Sequence, residues 1–196
     1  MFTAKEGKIL RFLMTCFSDH SINHVAKECD ITARGTYKIL KKLEKEQIVS
    51  YKEISNIKSY SINFDNPLIL SYLEIVLKDE RTNQPKIKIR LQDLSKMKDI
   101  CKACLLFGSY ITGKKEPNDI DILFVFEKKD YKKFDKELES IRLISPYKVH
   151  DMIQAPIDIL DNLKKQDKAI LDIIRNGVVL WGHDFIARSV KDAHTK

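Results

Sequence analysis

The segments LLFGSY at residues 105–110 and NDIDILFVF at residues 118–126 form the most informative pattern in this sequence. An apolar run that stops at Gly-Ser, a polar connection and a second apolar run predict two buried strands joined by a loop. Asp119 and Asp121 are two residues apart, so on a strand they lie on one face, with Cα atoms roughly 6.6 Å apart. Two carboxylates with this spacing can converge on one divalent cation, or on a pair of cations. The pattern therefore predicts a metal site at the start of the second strand.

Composition sets wide limits on the rest of the 196-residue chain. Hydrophobic residues make up 43% of it, and no stretch approaches the roughly 20 apolar residues of a membrane span. We see no signal peptide, so we expect a cytoplasmic protein with no membrane partner. The net charge of +7 fits either a lysine-rich solvated surface or affinity for phosphate polyanions, and charge alone does not decide between them.

Residues 1–66 predict a small domain of three helices and a hairpin. Apolar residues recur at helical spacing in the first helix, and Ser21 and Thr32 are good N-caps for two further helices. Two extended runs separated by Ser55-Asn56 predict a hairpin. This layout is similar to that of the winged helix-turn-helix family. The resemblance rests on Ala26, on Ile31-Thr32 and on YKILKKLE at residues 37–44.

The resemblance implies that the third helix enters the major groove of DNA. There Arg34 and Lys38 would reach bases, whereas Lys41 and Lys42 would contact phosphates. The expected DNA-binding residues are Arg34, Tyr37, Lys38, Lys41 and Lys42 on the helix, with Lys52 and Lys58 on the hairpin. The alternative is that these lysines form the solvated face of a helix in a protein-binding module.

Residues 67–86 predict a connection between two domains. An apolar helix from Pro67 to about Leu77 would carry the proline in its first turn, and it is too apolar to be free in water. We expect it to pack on either domain, or on a copy of itself in a homodimer. The polar residues 78–86 follow as a linker. Residues 87–196 then form the second domain, which begins with a helix over residues 87–100.

The central pattern is similar to that of the DNA polymerase beta-like nucleotidyltransferase superfamily, of the minimal nucleotidyltransferase type. Gly108-Ser109, nine intervening residues and Asp119-Ile120-Asp121 carry the resemblance. Tyr110 and Gly113 also match, whereas Thr112 and Asn118 stand where an arginine and a serine are common. The resemblance implies an α+β fold class: an N-terminal winged helix-turn-helix plus a small C-terminal mixed-sheet nucleotidyltransferase domain flanked by helices.

The same resemblance implies roles for the residues of this pattern. Gly108 and Ser109 would bind the nucleotide, because glycine lets the backbone approach phosphates closely and serine supplies a hydroxyl. Asp119 and Asp121 would hold Mg²⁺ or Mn²⁺. A third carboxylate on a neighbouring strand would bind a second metal ion and activate the attacking hydroxyl.

Which residue supplies the third carboxylate depends on which face of a later strand is turned to the site. In the strand predicted at residues 147–153, Asp151 is the only carboxylate, and His150 lies on the opposite face. We expect Asp151 to complete the catalytic and metal-binding set, with His150 as the alternative. With His150 in place, a second metal ion would be held poorly and activity would be low or absent.

These features predict a metal-dependent nucleotidyltransferase. It would transfer a nucleoside monophosphate, AMP from ATP or the equivalent from another nucleoside triphosphate, to a hydroxyl of a protein, RNA or small molecule. A HEPN-type partner protein, as in toxin–antitoxin pairs, is one expected acceptor. The alternative is a nucleotide-sensing, DNA-binding transcriptional regulator whose nucleotidyltransferase domain is weak or inactive.

Overall fold

The computed structural model describes residues 2–112, 117 and 119–195, and the chain is a mixed α+β structure. Its helices are α1 (Ala4–Met14), α2 (Ile22–Glu28), α3 (Ala33–Lys45), α4 (Ile69–Leu77), α5 (Pro85–Asp93), α6 (Ser109–Thr112), α7 (Tyr131–Ile144), α8 (Pro156–Lys164), α9 (Lys168–Asn176) and α10 (His183–His194). Its strands are β1 (His20–Ser21), β2 (Val49–Ile54), β3 (Ile57–Ile62), β4 (Ala103–Phe107), β5 (Asp119–Val125), β6 (Lys148–Gln154) and β7 (Val178–Trp181). Short 3-10 helices cover Glu80–Asn83, Ser95–Asp99 and Lys128–Asp130. Within these described residues, no helix has both the length and the apolar character that crossing a membrane requires.

Local capping explains where the N-terminal helices begin. Thr3 and Glu6 form a reciprocal cap on α1: the Thr3 N–H donates to Glu6 Oε2 at 2.8 Å, and the Glu6 N–H donates to Thr3 Oγ1 at 3.3 Å. The caps predicted at Ser21 and Thr32 are confirmed, because each hydroxyl accepts from a backbone N–H three residues later. The three predicted helices therefore exist, with ends defined by these side chains.

The predicted hairpin is formed by β2 and β3. Ser55 and Asn56 have φ angles of 49° and 64°, the left-handed values that a two-residue type I′ turn needs. The sequence pattern does not predict β1, which pairs antiparallel with β3 and gives a sheet of order β1-β3-β2. A strand of two residues carries too little hydrophobic pattern to be recognised in a sequence.

Two helices after the hairpin differ from their predicted bounds. Helix α4 begins at Ile69, so Pro67 lies in the turn before it and not in its first turn. The single helix expected over residues 87–100 is divided at Leu94 into α5 and the 3-10 helix Ser95–Asp99. Pro85 occupies the first turn of α5, where its missing N–H costs no hydrogen bond.

The segment expected as a polar linker is tied to the rest of the structure. It contains the 3-10 helix Glu80–Asn83, and Asp79 accepts a hydrogen bond from Arg81 Nη2 at 2.6 Å. Asp79 also lies 3.5 Å from the guanidinium of Arg11, which is 8% exposed on α1. These contacts join the segment to the first helix of the chain.

The C-terminal sheet has the order β6-β5-β4-β7, with β5 and β6 parallel and the other pairs antiparallel. Ile120, Ile122 and Phe124 pack into a core with α7 on one face, as the alternation in the sequence predicts. On the other face, Leu123 and Val125 pack with α8, α9 and α10, in a core that is continuous with that of the N-terminal helices. Because both faces of the sheet are packed against other elements, the first residues of β5 are held in place at the edge of the sheet.

Candidate active site

Gly108 follows β4 and leads the chain into α6, which begins at Ser109. Its φ of +71° lies in the left-handed region that favours glycine. A Cβ built on Gly108 would lie 2.1 Å from Oδ2 of Asp121, so a larger residue would displace that carboxylate. The Gly-Ser turn and the second aspartate are therefore in direct contact, and Ser109 is exposed beside them.

Two reciprocal hydrogen bonds hold α6 against the first turn of α5. Tyr110 Oη donates to the Lys86 carbonyl at 3.1 Å, and Lys86 Nζ donates to the Tyr110 carbonyl at 2.8 Å. Burial raises the pKa of the Tyr110 hydroxyl, so it remains a proton donor at neutral pH. The sequence pattern places Lys86 in the linker and does not indicate this role, because only the tertiary structure brings α5 to α6.

Asp119 and Asp121 share one face of β5, and their side chains are 39% and 26% exposed. The register of β6 against β5 places His150 opposite Asp121 and Lys148 opposite Asp119. Residues that pair across adjacent strands project to the same face of a sheet. His150 Nδ1 accordingly lies 3.5 Å from Asp121 Oδ1 and 3.7 Å from Asp119 Oδ2.

The structure does not bring Asp151 to the two aspartates. Asp151 pairs with Ile122, so it projects to the opposite face of the sheet, where it lies 2.5 Å from Nη2 of Arg142. The expectation that the Asp151 face of this strand is turned to the site is corrected, and the His150 alternative describes the observed register. Both faces of β6 carry polar residues, so the sequence pattern does not indicate which face is turned to the two aspartates.

The residues on the aspartate face fit one divalent cation better than two. Within the part of the chain that the structure describes, no three His, Cys, Asp or Glu side chains converge to hold a metal ion. Mg²⁺ prefers oxygen ligands and is commonly bound by one or two carboxylates plus water and phosphate oxygens, which Asp119 and Asp121 allow. The imidazole of His150 is a poor ligand for this cation. A second Mg²⁺ therefore has no adequate protein ligand here among the described residues.

Lys148 is a further residue on this face that sequence analysis left without a role. It is exposed at the start of β6, opposite Asp119 in the register, so its ammonium group is available to phosphate oxygens. Gly113 and Asn118, two positions compared with the family pattern, lie outside the described residues.

The residues predicted to bind DNA divide into two groups in the structure. Arg34, Tyr37 and Lys38 are exposed on α3, and Tyr37 is 49% exposed. Among the described residues, Arg34 and Lys38 have no carboxylate within ion-pair distance. These three side chains form the accessible face of α3.

The other four residues predicted to bind DNA already have partners within the chain. Lys41 lies 2.8 Å from Glu44, Lys42 lies 2.7 Å from Glu6 and Lys52 lies 3.3 Å from Asp19. Lys58 Nζ lies 3.9 Å from the ring centroid of Tyr51. The hydrogen bonds that Lys41 and Lys42 donate to the carboxylates of Glu44 and Glu6, respectively, raise the pKa values of the two lysines. These pairs lower the positive charge that this surface offers to DNA.

One of three comparisons with known proteins matches the C-terminal part of the chain. Residues 89–185 match the family model described as Polymerase beta, Nucleotidyltransferase. Neither the search of curated proteins nor the search of solved structures found a match. The matched segment contains Gly108, both aspartates and His150, and it therefore supports a domain of the nucleotidyltransferase superfamily at residues 89–185 of this chain.

Proposed function

We propose that the chain is a metal-dependent nucleotidyltransferase that transfers a nucleoside monophosphate, AMP from ATP, to a hydroxyl of a protein, RNA or small molecule. The observation that carries this proposal is the contact between Gly108 and Asp121, which joins a phosphate-binding turn to a metal-binding carboxylate. The family match supports nucleotidyl transfer in general. The acceptor and the base preference are part of the proposal.

In this mechanism, the turn after β4 positions the triphosphate. Gly108 leaves the backbone free to approach phosphate oxygens, and Ser109 offers its hydroxyl beside them. Lys148 approaches from the neighbouring strand and adds positive charge. Asp119 and Asp121 would hold one Mg²⁺ or Mn²⁺, and a cation at this position offsets the charge that develops on the leaving pyrophosphate.

His150 takes the place of the third carboxylate as the proton acceptor. The acceptor hydroxyl attacks the α-phosphorus of ATP, the bond from that phosphorus to the oxygen bridging to the β-phosphate breaks, and pyrophosphate leaves. The hydroxyl proton passes to a ring nitrogen of His150, which faces the same space as Asp119 and Asp121.

A second candidate function is favoured by the register of β6. Because His150 stands where a third carboxylate was expected, the domain would sense nucleotide with little or no transfer. The helix–strand–helix–helix–strand–strand order of the N-terminal part and the exposed Arg34, Tyr37 and Lys38 would then serve a DNA-binding transcriptional regulator of the winged helix type.

Transfer of label from ATP tests the first proposal. The full chain is incubated with α-³²P-ATP, Mg²⁺ and separate acceptors: total RNA, small alcohols, and a HEPN-type partner protein. We expect label on one acceptor class, with release of pyrophosphate, and loss of both in the Asp119→Asn/Asp121→Asn variant. The matched control is Asp151→Asn, which removes a carboxylate from the other face of the same sheet and keeps transfer.

Two outcomes contradict the first proposal. Label transfer that persists at the wild-type rate in Asp119→Asn/Asp121→Asn would exclude these aspartates as the metal site. ATP binding without pyrophosphate release for every acceptor would favour the second candidate. The second candidate in turn requires sequence-specific DNA binding whose affinity changes when ATP is added.

A further inference from the structure

A cavity of about 830 Å³ lies between the N-terminal helix and the C-terminal part of the chain. Its walls come from α1, the end of α2, the end of α4, the 3-10 helix Glu80–Asn83 and the end of α9. This volume is within the roughly 300–1,000 Å³ range of small-molecule sites, which occur preferentially where two structural units meet. None of the described residues that line it belongs to the Gly108, Asp121 and His150 site.

One wall of the cavity is a fixed network around Arg11. The Arg11 guanidinium donates to the carbonyls of Leu77 at 2.9 Å and Gly177 at 2.8 Å, which close the ends of α4 and α9. It also lies 3.5 Å from the Asp79 carboxylate. Burial lowers the pKa of Arg11 to about 10, so the side chain stays charged at neutral pH. This wall is rigid, and the charge of Arg11 is already satisfied by these partners.

Two lysines at the cavity differ from Arg11 in this respect. Lys8 and Lys78 are exposed, and among the described residues neither has a carboxylate within ion-pair distance. The guanidinium of Arg175 lies over the Phe12 ring and donates to the hydroxyl of Thr15. The cavity lining carries five cations, Lys8, Arg11, Lys78, Arg81 and Arg175, against three carboxylates, Glu28, Asp79 and Glu80, so two positive charges remain uncompensated. That excess favours an anionic ligand.

Part of the cavity lining is apolar, and a glycine lies beside it. The apolar residues are Phe12, Ile75 and Val76, and Ile75 is 41% exposed. Gly7 is the fourth residue of α1, and glycine within a helix costs up to about 1 kcal/mol of helix stability relative to alanine. A Cβ built on Gly7 meets no atom within 4 Å, so open space and not a packing constraint surrounds this residue. A large side chain at this position would fill the cavity.

We propose that this cavity binds an amphipathic anion, a molecule with an apolar ring or chain and one carboxylate, sulfonate or phosphate group. The apolar body lies against Phe12 and Ile75 in the space beside Gly7. The anionic group lies at the rim, where Lys8 and Lys78 pair with it. Desolvation of the ring gives affinity, and the charge gives selectivity over neutral molecules of the same shape.

The test uses 8-anilino-1-naphthalenesulfonate, a ring system with one sulfonate, and N-phenyl-1-naphthylamine, which has the same rings without the charge. Binding to the folded full chain is measured by fluorescence and by titration calorimetry. We expect one sulfonate probe per chain, bound at least fivefold more tightly than the neutral probe. Gly7→Trp should weaken the sulfonate probe at least tenfold, whereas the matched Gly7→Ala should stay within twofold of wild type.

A variant with two lysines changed to glutamate, the charge-reversal pair, provides an independent test of the proposal. Lys8→Glu/Lys78→Glu should weaken the sulfonate probe at least fivefold and leave the neutral probe unchanged, while the control Lys88→Glu/Lys96→Glu changes neither. The proposal is overturned if the folded wild type binds no sulfonate probe, or if both Gly7→Trp and the charge-reversal pair bind it like wild type. If Gly7→Trp lowers the melting temperature, the charge-reversal pair alone decides. Because no nucleotide transfer is measured, the result is independent of the proposed enzymatic function.

Discussion

Gly108 and Asp121 are so close that a methyl group on the glycine would overlap the carboxylate. The Cβ position of Gly108 lies 2.1 Å from Asp121 Oδ2, and the glycine has a φ of +71°. Two independent constraints, backbone conformation and space, therefore act on one position. Both arise because the turn after β4 passes directly over the start of β5.

Gly108→Ala should damage the candidate site much more than it damages the fold. The left-handed backbone costs a non-glycine residue about 1–3 kcal/mol, and the new methyl group must displace Asp121. We expect ATP affinity in the presence of Mg²⁺ to fall at least tenfold in titration calorimetry. The control is Gly7→Ala, a glycine with open space around it, which should bind ATP like wild type. Equal ATP affinity in the two variants would show that the turn does not contact the nucleotide.

His150 and Asp151 offer a comparison between neighbouring residues on opposite faces. If His150 accepts the hydroxyl proton, His150→Ala should lower the transfer rate by about 10²–10⁴, the usual range for loss of a general base. Asp151→Asn breaks only an ion pair with Arg142, which is 37% exposed, so it should change the rate less than twofold. Single-turnover measurements with α-³²P-ATP separate the transfer step from product release. The opposite order of effects would restore Asp151 as the catalytic carboxylate.

The Lys86 and Tyr110 contact should support nucleotide binding from outside the site. Tyr110→Phe removes a hydrogen bond of 3.1 Å from a side chain that is 2% exposed, and we expect a loss of about 1 kcal/mol in unfolding free energy. Because this bond holds α6, ATP affinity should also fall. Tyr131→Phe, at a residue that is 52% exposed, is the matched control and should alter neither quantity. A Tyr110→Phe variant with unchanged stability and affinity would show that α6 needs no such support.

Asp79 should make the stability of the chain sensitive to acid. Burial raises the pKa of this carboxyl, but hydrogen bonds from Arg81 and the charge of Arg11 outweigh burial and hold the pKa below its ordinary value of 3.8. Since the folded-state pKa is the lower one, the stabilisation is complete above pH 3.8 and is lost as the pH falls through the folded-state pKa.

The corresponding experiment is urea unfolding of Asp79→Asn at two pH values. At pH 7 the variant should lose about 3 kcal/mol, because it leaves Arg11 without its carboxylate partner. At pH 3 the difference from wild type should shrink. Asp65→Asn, at an exposed residue, should match wild type at both pH values. A difference for Asp79→Asn that does not depend on pH would rule out the charge of this carboxylate as its cause.

The accessible face of α3 leads to a separate prediction about DNA binding. If the N-terminal part binds DNA, Arg34→Ala/Lys38→Ala should reduce affinity more than Lys41→Ala/Lys42→Ala, because the second pair is held by Glu44 and Glu6. Each phosphate contact that is lost should also reduce the salt dependence of binding by about one unit of slope. Binding to a randomised DNA library, with fluorescence anisotropy of the selected sequences, measures both effects. Equal losses of DNA affinity in the two double variants would contradict the division of the predicted DNA-binding residues into accessible and paired groups.

Features that depend on neighbouring residues in the chain were predictable. Ser21 and Thr32 are confirmed as helix caps, and the Ser55-Asn56 turn forms the expected hairpin, because side-chain hydrogen bonds and left-handed φ values are local properties. The shared face of Asp119 and Asp121 follows in the same way from the period of a strand. These elements needed no information about distant residues.

The sequence by itself thus determined the Gly-Ser turn, the paired aspartates and most helix and strand positions. Only the tertiary structure decided that His150 and not Asp151 lies beside those aspartates, because the pairing of β6 with β5 sets that choice. Likewise, Lys86 reaches α6, and Arg11 reaches the ends of α4 and α9, only after distant elements pack together. Local periodicity predicts which residues share a face, but the register between strands and the packing of helices decide what that face meets.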